Sequence, residues 1–331
     1  MSRFAIVSGA VLCIAAAALA WYFVRTPFPK QYEQAIAKYH AGQYAEALPV
    51  LRKGARILSG KQGGVEALMW LARCETAVDA TNAGTWAAVA AATSNRAYIA
   101  EARYQLALAS ADKEAAIERF SKEFPERPEA RQHLVDSGSR ALARNDVMAA
   151  WAAWQMLYDS SPDSPEAQGI RAQLGDLNMK LLCSPRPQPF CIEHTVAPGE
   201  LLLKIAQKYR RTADPVKRVN QLRSDIIRPG TKLKIDQSEY LIRVDTTKHE
   251  LCLYRIWQDS TNFVKAYSVG TGKNENTPIG AFKITLKQKN PTWYKPGGSA
   301  IPFGSPENLL GTRWLGIDCP GFGIHGTWEP E

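Results

Sequence analysis

Three alternating prolines, in Ser184-Pro185-Arg186-Pro187-Gln188-Pro189, divide this chain into two parts that cannot share one architecture. Proline fixes φ and removes a backbone donor, so no helix continues through such a run, and the segment reads as a stiff linker. Residues 31–182, before it, are Ala-rich with apolar positions three and four apart, as in Ala47-Leu48 with Leu51 and Ala116-Ile117 with Phe120. That spacing predicts helices. After the linker, short apolar and β-branched runs alternate with turn residues, which predicts strands. The expected fold class is multidomain α+β. It comprises an N-terminal membrane helix, an all-α helical-hairpin region, a small βααβ module and a mostly-β C-terminal domain.

Residues 4–24 carry no charge, a length that suits one bilayer crossing of roughly 20 residues. Ala18-Leu19-Ala20 also fits a signal-peptidase site. The apolar run continues through Trp21, Tyr22, Phe23 and Val24 to Arg25, which fits an uncleaved signal anchor better. Trp21 and Tyr22 would then sit at the interface. Arg3 precedes the span and Arg25 and Lys30 follow it, so charge bias is nearly silent on orientation.

Within the helical part, Ala41-Gly42-Gln43-Tyr44-Ala45-Glu46-Ala47-Leu48 reads as a turn between paired helices. The segment from Ala116-Ile117 to Phe124-Pro125 reads as a helix ending at proline, and Ala143-Arg144-Asn145-Asp146-Val147 leads similarly towards Ser161-Pro162. These units resemble degenerate tetratricopeptide repeats, which stack helix pairs around a shared core. The resemblance implies a scaffold for protein partners. A helical spacer holding the later domains off the membrane is the plainer alternative.

In the C-terminal part, Tyr240-Leu241-Ile242-Arg243-Val244-Asp245 reads as a strand, Thr246-Thr247-Lys248-His249 as a turn, and Glu250-Leu251-Cys252-Leu253-Tyr254-Arg255-Ile256 as the returning strand. A third strand is expected from Phe263 to Val269 and a fourth over Phe282-Lys283-Ile284-Thr285-Leu286. Short strands with turns between them indicate an all-β sandwich or barrel-like domain.

Between linker and strands stand His194-Thr195-Val196-Ala197-Pro198-Gly199-Glu200, Leu203 with Ile205-Ala206 and Tyr209, Asn220, and Ile227 with Pro229-Gly230, Leu233 and Ile235. This segment resembles a LysM domain, a βααβ module that binds N-acetylglucosamine-containing glycans. The resemblance implies glycan contacts at Pro198, Gly199, Glu200, Asn220, Pro229 and Gly230. The family usually has Asp-Thr after the first Pro-Gly. Here Glu200-Leu201 keeps the carboxylate and loses the threonine cap.

Three further motifs follow: Val269-Gly270-Thr271-Gly272, Thr277-Pro278-Ile279-Gly280-Ala281-Phe282, and Gly323-Ile324-His325-Gly326-Thr327-Trp328. Together they resemble the catalytic domain of the L,D-transpeptidases (YkuD domain), cysteine enzymes that cross-link bacterial peptidoglycan. A thiolate beside an imidazole is a strong nucleophile near neutral pH, and backbone N–H groups can hold the oxyanion. In that family the cysteine sits in a Ser-His-Gly-Cys motif shortly after the first His-Gly. The resemblance implies that His325 lines the catalytic pocket and that Gly326 and Thr327 contact substrate. Trp293 and Tyr294 either line the cleft or pack the sandwich surface. This chain ends at Glu331 without such a motif, so the catalytic domain is expected to be incomplete and inactive as it stands.

The chain holds six cysteines: Cys13, Cys74, Cys183, Cys191, Cys252 and Cys319. Cys319 lies close to His325 in sequence but lacks the motif's context. Cys252, inside a strand, reads as a small buried hydrophobe. Cys183 and Cys191 flank the linker, and their spacing leaves a disulfide and two free thiols both open.

The net charge of +9 is not gathered in a nucleic-acid-like tract. Residues 192–236 hold ten Lys or Arg against five Asp or Glu, a basic face suited to anionic wall polymers. There is no Walker loop, dinucleotide fingerprint or His/Cys cluster with metal-ligand spacing, so neither cofactor nor metal is expected. The expected organisation is a signal anchor over 1–29, helical repeats over 30–182, a linker over 183–191, LysM over 192–236 and the transpeptidase domain over 239–331. The expected function is peptidoglycan L,D-transpeptidation in cell-wall cross-linking or remodelling. The partners expected are glycan strands, stem peptides, the membrane through the N-terminal helix, and a protein on the repeats, with no nucleic acid. The body would lie in the periplasm or wall space of the cell envelope. The alternative is a non-catalytic peptidoglycan-binding scaffold with a decayed transpeptidase domain.

Overall fold

A computed structural model describes residues 29–80, 83–272, 276–295 and 297–327. The expected membrane segment and Trp328 lie outside them. Among the described residues, no helix is long and apolar enough to cross a membrane. The chain forms two compact units. One runs through the described residues up to Arg243 and adds Cys252–Ala266; the other comprises Val244–Leu251 and the described residues from Tyr267.

The first unit opens with consecutive packed helices: α1 (Pro29–His40), α2 (Tyr44–Leu58), α3 (Gly64–Val78), α4 (Gly84–Ala92), α5 (Arg96–Leu108), α6 (Lys113–Glu123), α7 (Pro128–Ala143), α8 (Val147–Ser160) and α9 (Pro165–Leu182). The helical-hairpin expectation fits, with turns where the sequence placed them. Between α7 and α8, Asn145 takes the left-handed conformation at φ 60°, and Asp146 caps α8 by accepting the Ala149 N–H at 3.1 Å. Small residues seat large rings: a Cβ on Gly138 would fall 2.2 Å from Nε1 of Trp154, which is buried in the α7–α9 core.

The βααβ module follows as β1 (Cys191–Thr195), α10 (Leu202–Lys208), α11 (Ala213–Val219) and β2 (Lys232–Asp236). The strands pair antiparallel, with His194 opposite Leu233. Val196, Leu202, Ile205, Ala206, Val216, Leu233 and Ile235 fill a core of its own. The linker before it is packed, not loose. Phe190 is buried, and the Arg255 guanidinium sits 3.6 Å from its ring centroid. The buried Lys234 ammonium donates to the Leu181 carbonyl at 3.0 Å and the Ser184 carbonyl at 2.8 Å, closing the C-terminal end of α9.

Strands β3 (Glu239–Asp245), β4 (Glu250–Trp257) and β5 (Ser260–Ser268) form one sheet in that order. Within the first unit, Phe263 of β5 stacks on Tyr158 of α8 at 4.5 Å. Asn178 of α9, also buried, donates to the Phe263 and Val264 carbonyls at 3.1 Å each and accepts from Trp151 at 2.8 Å.

The second unit holds β6 (Ile284–Lys289), β7 (Trp293–Tyr294), β8 (Ala300–Ile301), β9 (Arg313–Ile317) and β10 (Gly323–His325). A three-stranded sheet runs β10-β9-β6, and β7-β8 form a separate ribbon. This unit is strand-rich as expected, and every residue of edge strand β6 is exposed. The fourth strand starts later than expected, because Lys283 exchanges bonds with Asp318 outside the ladder. The strand leading to His325 is short because Asn308 turns its side chain inward.

Candidate functional site

The Gly323–His325 strand is positioned by antiparallel pairing to β9, which sets His325 opposite Trp314. The two rings stack, with centroids 5.9 Å apart and planes inclined by 21°. His325 is exposed, and its Nδ1 lies 2.7 Å from the Gly326 carbonyl oxygen. A carbonyl only accepts, so Nδ1 carries the hydrogen and Nε2 is the basic nitrogen of the neutral ring. The arrangement suits a proton acceptor or hydrogen-bond partner at the edge of a cleft.

Gly326 is held from behind. Its N–H donates to the Leu310 carbonyl at 3.2 Å, and its backbone meets Gly311 so closely that a Cβ there would stand 3.0 Å from the Gly326 Cα. Leu310 is fixed in turn by Asn308, whose carbonyl oxygen accepts the Leu310 N–H at 3.0 Å. The Asn308 amide donates to the Pro291 and Ile301 carbonyls, each at 3.0 Å. Asn308 thus links the ribbon carrying Trp293 and Tyr294 to the His325-Gly326 strand end. Sequence reasoning did not single out Asn308. Its signal, a polar residue beside apolar Leu309 and Leu310, is shared by many surface positions.

Trp293 is half-buried opposite Ile301, and Tyr294 is 76% exposed opposite Ala300. Thr327 is exposed beside Gly326. In the Gly270-Thr271-Gly272 loop, the Gly272 N–H donates to the Thr277 hydroxyl at 2.7 Å, tying that motif to the next.

Among the described thiols, Cys319 is the one in the same unit as His325, and it does not complete this site. Cys319 lies in the turn between β9 and β10, where its carbonyl accepts the Phe322 N–H at 3.1 Å. That turn adjoins Gly323, whereas His325 ends the three-residue strand at the other end. Cys252 is buried 3.1 Å from the Arg171 guanidinium. Cys74 is buried and its thiol is pushed upwards by burial. Cys183 and Cys191 stand as free thiols, and burial pushes Cys191 up to about 12. Cys13 lies outside the described residues.

In the βααβ module, two turns lie side by side. The Val196 N–H donates to the Thr231 carbonyl at 2.9 Å, and the Gly230 N–H returns to the Val196 carbonyl at 2.8 Å. Pro198-Gly199 and Pro229-Gly230 are all exposed, and both glycines have positive φ, 80° and 83°. Glu200 does not cap α10. Its carboxylate accepts the Ala197 N–H at 2.7 Å and faces His194 Nε2 at 2.8 Å. The first of these contacts, then the second, holds the carboxyl below the usual range. Asn220 is set apart from the turns. Its amide donates to the Val216 and Lys234 carbonyls at 2.8 Å each, and its oxygen accepts the Lys234 N–H at 2.7 Å. Among the described residues, no three His, Cys, Asp or Glu side chains gather as a metal site would require.

Comparison with known proteins finds relatives of both domains. The family model of the L,D-transpeptidase catalytic domain (YkuD) matches residues 239–331, and that of the LysM domain matches residues 194–236. YqjB of Bacillus subtilis, named as a candidate L,D-transpeptidase, is 48% identical over 71 residues, 20% of this chain and 39% of its own length. YkuD of Bacillus licheniformis, named likewise, is 32% identical over 147 residues, covering 42% of this chain and 77% of that protein. The chain thus spans well under half of the first relative and about three quarters of the second. No solved structure matches it.

Proposed function

This chain belongs to the YkuD family of L,D-transpeptidases, and on that premise we propose that it serves peptidoglycan L,D-transpeptidation in the cell wall. The observation that carries the reading is the exposed His325, with Nδ1 bonded to the Gly326 carbonyl and Nε2 left as the basic nitrogen. In the family's reaction a cysteine thiolate attacks the carbonyl after the third residue of a tetrapeptide stem. D-alanine leaves, and an amine of another stem takes the acyl group. His325 would line that site, Gly326 would let the stem backbone approach, and Trp293, Tyr294 and Thr327 would contact the stem.

The nucleophile's Ser-His-Gly-Cys motif does not occur within these 331 residues. The LysM module would hold glycan at the paired turns of Pro198, Gly199 and Glu200 facing Pro229 and Gly230, raising local substrate concentration without new chemistry. Asn220 would serve there by bracing β2. Residues 4–24 would anchor the protein in the cytoplasmic membrane, with the helices offering a scaffold to a protein partner. The body would then lie on the wall side.

The second reading is a wall-binding scaffold without transferase chemistry. The test is D-alanine release from purified tetrapeptide stems. This chain should release none, and a chain extended to include the family's cysteine motif should turn over. Failure of the extended protein would favour the scaffold. Turnover by this chain, abolished by Cys319→Ala, would make Cys319 the nucleophile.

A further inference from the structure

The two exposed Pro-Gly turns of the LysM module differ in what holds them. The turn at Pro229-Gly230 is closed by backbone bonds alone: Thr231 N–H to the Arg228 carbonyl at 3.1 Å, and Gly230 N–H to Val196 at 2.8 Å. The turn at Pro198-Gly199 has a backbone closure too, from the Glu200 N–H to the Ala197 carbonyl at 3.2 Å. It also has a side-chain strut. The Glu200 carboxylate that accepts the Ala197 N–H faces the imidazole of His194, which is 9% exposed. The other ring nitrogen, Nδ1, lies 3.0 Å from the Tyr209 hydroxyl at the end of α10. The Tyr209 ring meets the imidazole edge-on, with centroids 5.6 Å apart.

The two contacts fix the roles of the nitrogens. An ionised carboxylate only accepts, so Nε2 carries a hydrogen, and Nδ1 of the neutral ring accepts from the Tyr209 hydroxyl. A buried ring held at both nitrogens cannot turn without breaking one bond. It transmits the position of β1 and α10 to the Ala197–Glu200 turn through one carboxylate.

We infer that His194, seated by Tyr209, is the positioning residue of the glycan-facing turn, and that Glu200 acts as the strut between them instead of as a direct sugar ligand. This rests on the reading of the module as a glycan binder. Sugar hydroxyls would then bond the exposed backbone of Pro198 and Gly199. Removing the imidazole would let that backbone drift while leaving the module core of Leu202, Ile205, Leu233 and Ile235 in place.

The test uses the full chain and purified wall sacculi, with affinity read from sedimentation and folding read from thermal melts. His194→Phe keeps a buried ring and removes both polar contacts. It should weaken retention about 3- to 10-fold, the range of one or two ordinary hydrogen bonds, with little change in the melt. His194→Gln, which restores a donor towards Glu200, should recover binding to within about 2-fold of wild type. Rescue is a result that a purely space-filling role would not give. If His194→Phe melts early, Tyr209→Phe decides, because it removes only the hydroxyl: weaker retention with an unchanged melt supports the inference, and unchanged retention overturns it. Wild-type retention matched by His194→Phe would also overturn it while leaving the glycan reading intact. No retention of the wild type would remove the glycan reading, and this inference with it.

Discussion

Gly311 and Gly326 touch backbone to backbone: a Cβ on Gly311 would stand 3.0 Å from both the Cα and the carbonyl carbon of Gly326. Gly311 also has φ +65°, a conformation that L side chains rarely adopt. Gly311→Ala should therefore meet strain and a clash together. The expected cost is about 1–3 kcal/mol, concentrated in the second unit. Urea unfolding followed by Trp fluorescence checks it, and an unchanged midpoint would show that the two backbones can part freely.

Lys234 carries the joint between α9 and the LysM strands. Its ammonium is buried, burial pulls its pKa down, and its donors reach the Leu181 and Ser184 carbonyls. Lys234→Met keeps the stem and leaves those carbonyls without this donor. A loss of about 1–3 kcal/mol is expected. Chymotrypsin should then cut more quickly after Phe190, now buried under Arg255. Unchanged cleavage would mean that the linker is held by other contacts.

Asn178 joins α9 to α8 and β5 through bonds with Trp151, Gln155, Phe263 and Val264. Asn178→Leu fits the volume but leaves two strand carbonyls and an indole N–H without their side-chain partner. Each buried unpaired group costs about 1–3 kcal/mol, so this should be the most damaging of the three substitutions. Differential denaturation of the full chain ranks them.

Glu200 sets a pH limit on its turn. Its folded pKa is lowered by the Ala197 N–H and by His194, with Lys208 adding a smaller attraction. A lowered acid favours the folded turn while ionised. The contribution is complete above the unfolded value of about 4.3 and is lost as pH falls through the lower folded value. Hydrogen exchange at the Ala197 amide, followed by NMR, should show protection fading only in that acid window. In Glu200→Gln the fading should disappear; an identical profile would place the pH dependence elsewhere.

Much of this was legible beforehand, for physical reasons that differ by element. The turns at Gly42 and Asn145 could be read because helix periodicity stops on both sides of a turn-forming residue. The βααβ order came with the resemblance to LysM, which the two Pro-Gly turns and the apolar positions between them carry. The β4–β5 hairpin was harder. Its two-residue loop is Gln258-Asp259, with Gln258 at φ 52°, and lacks the Asn-Gly signal of such turns. Asn308 and His194 were harder still. One reads as a surface amide and the other as a strand residue, and only three-dimensional neighbours reveal what each holds. Alternation in β6 fixes a strand's period but not whether another layer covers it, and all of its residues are exposed.

The account's central claim is that this chain engages peptidoglycan through a shaped glycan cleft. A sacculus pull-down of the full chain across a salt series tests it most directly. Residues 192–236 carry an excess of basic groups, so attraction by charge alone should fade as the Debye length shrinks from about 10 Å at 0.1 M to about 3 Å at 1 M salt. Backbone and apolar contacts at Pro198, Gly199, Pro229 and Gly230 are little screened. The account predicts retention that persists to 1 M salt, on the scale of that screening range. Retention that vanishes as salt rises would contradict it, leaving the LysM fold but not its function.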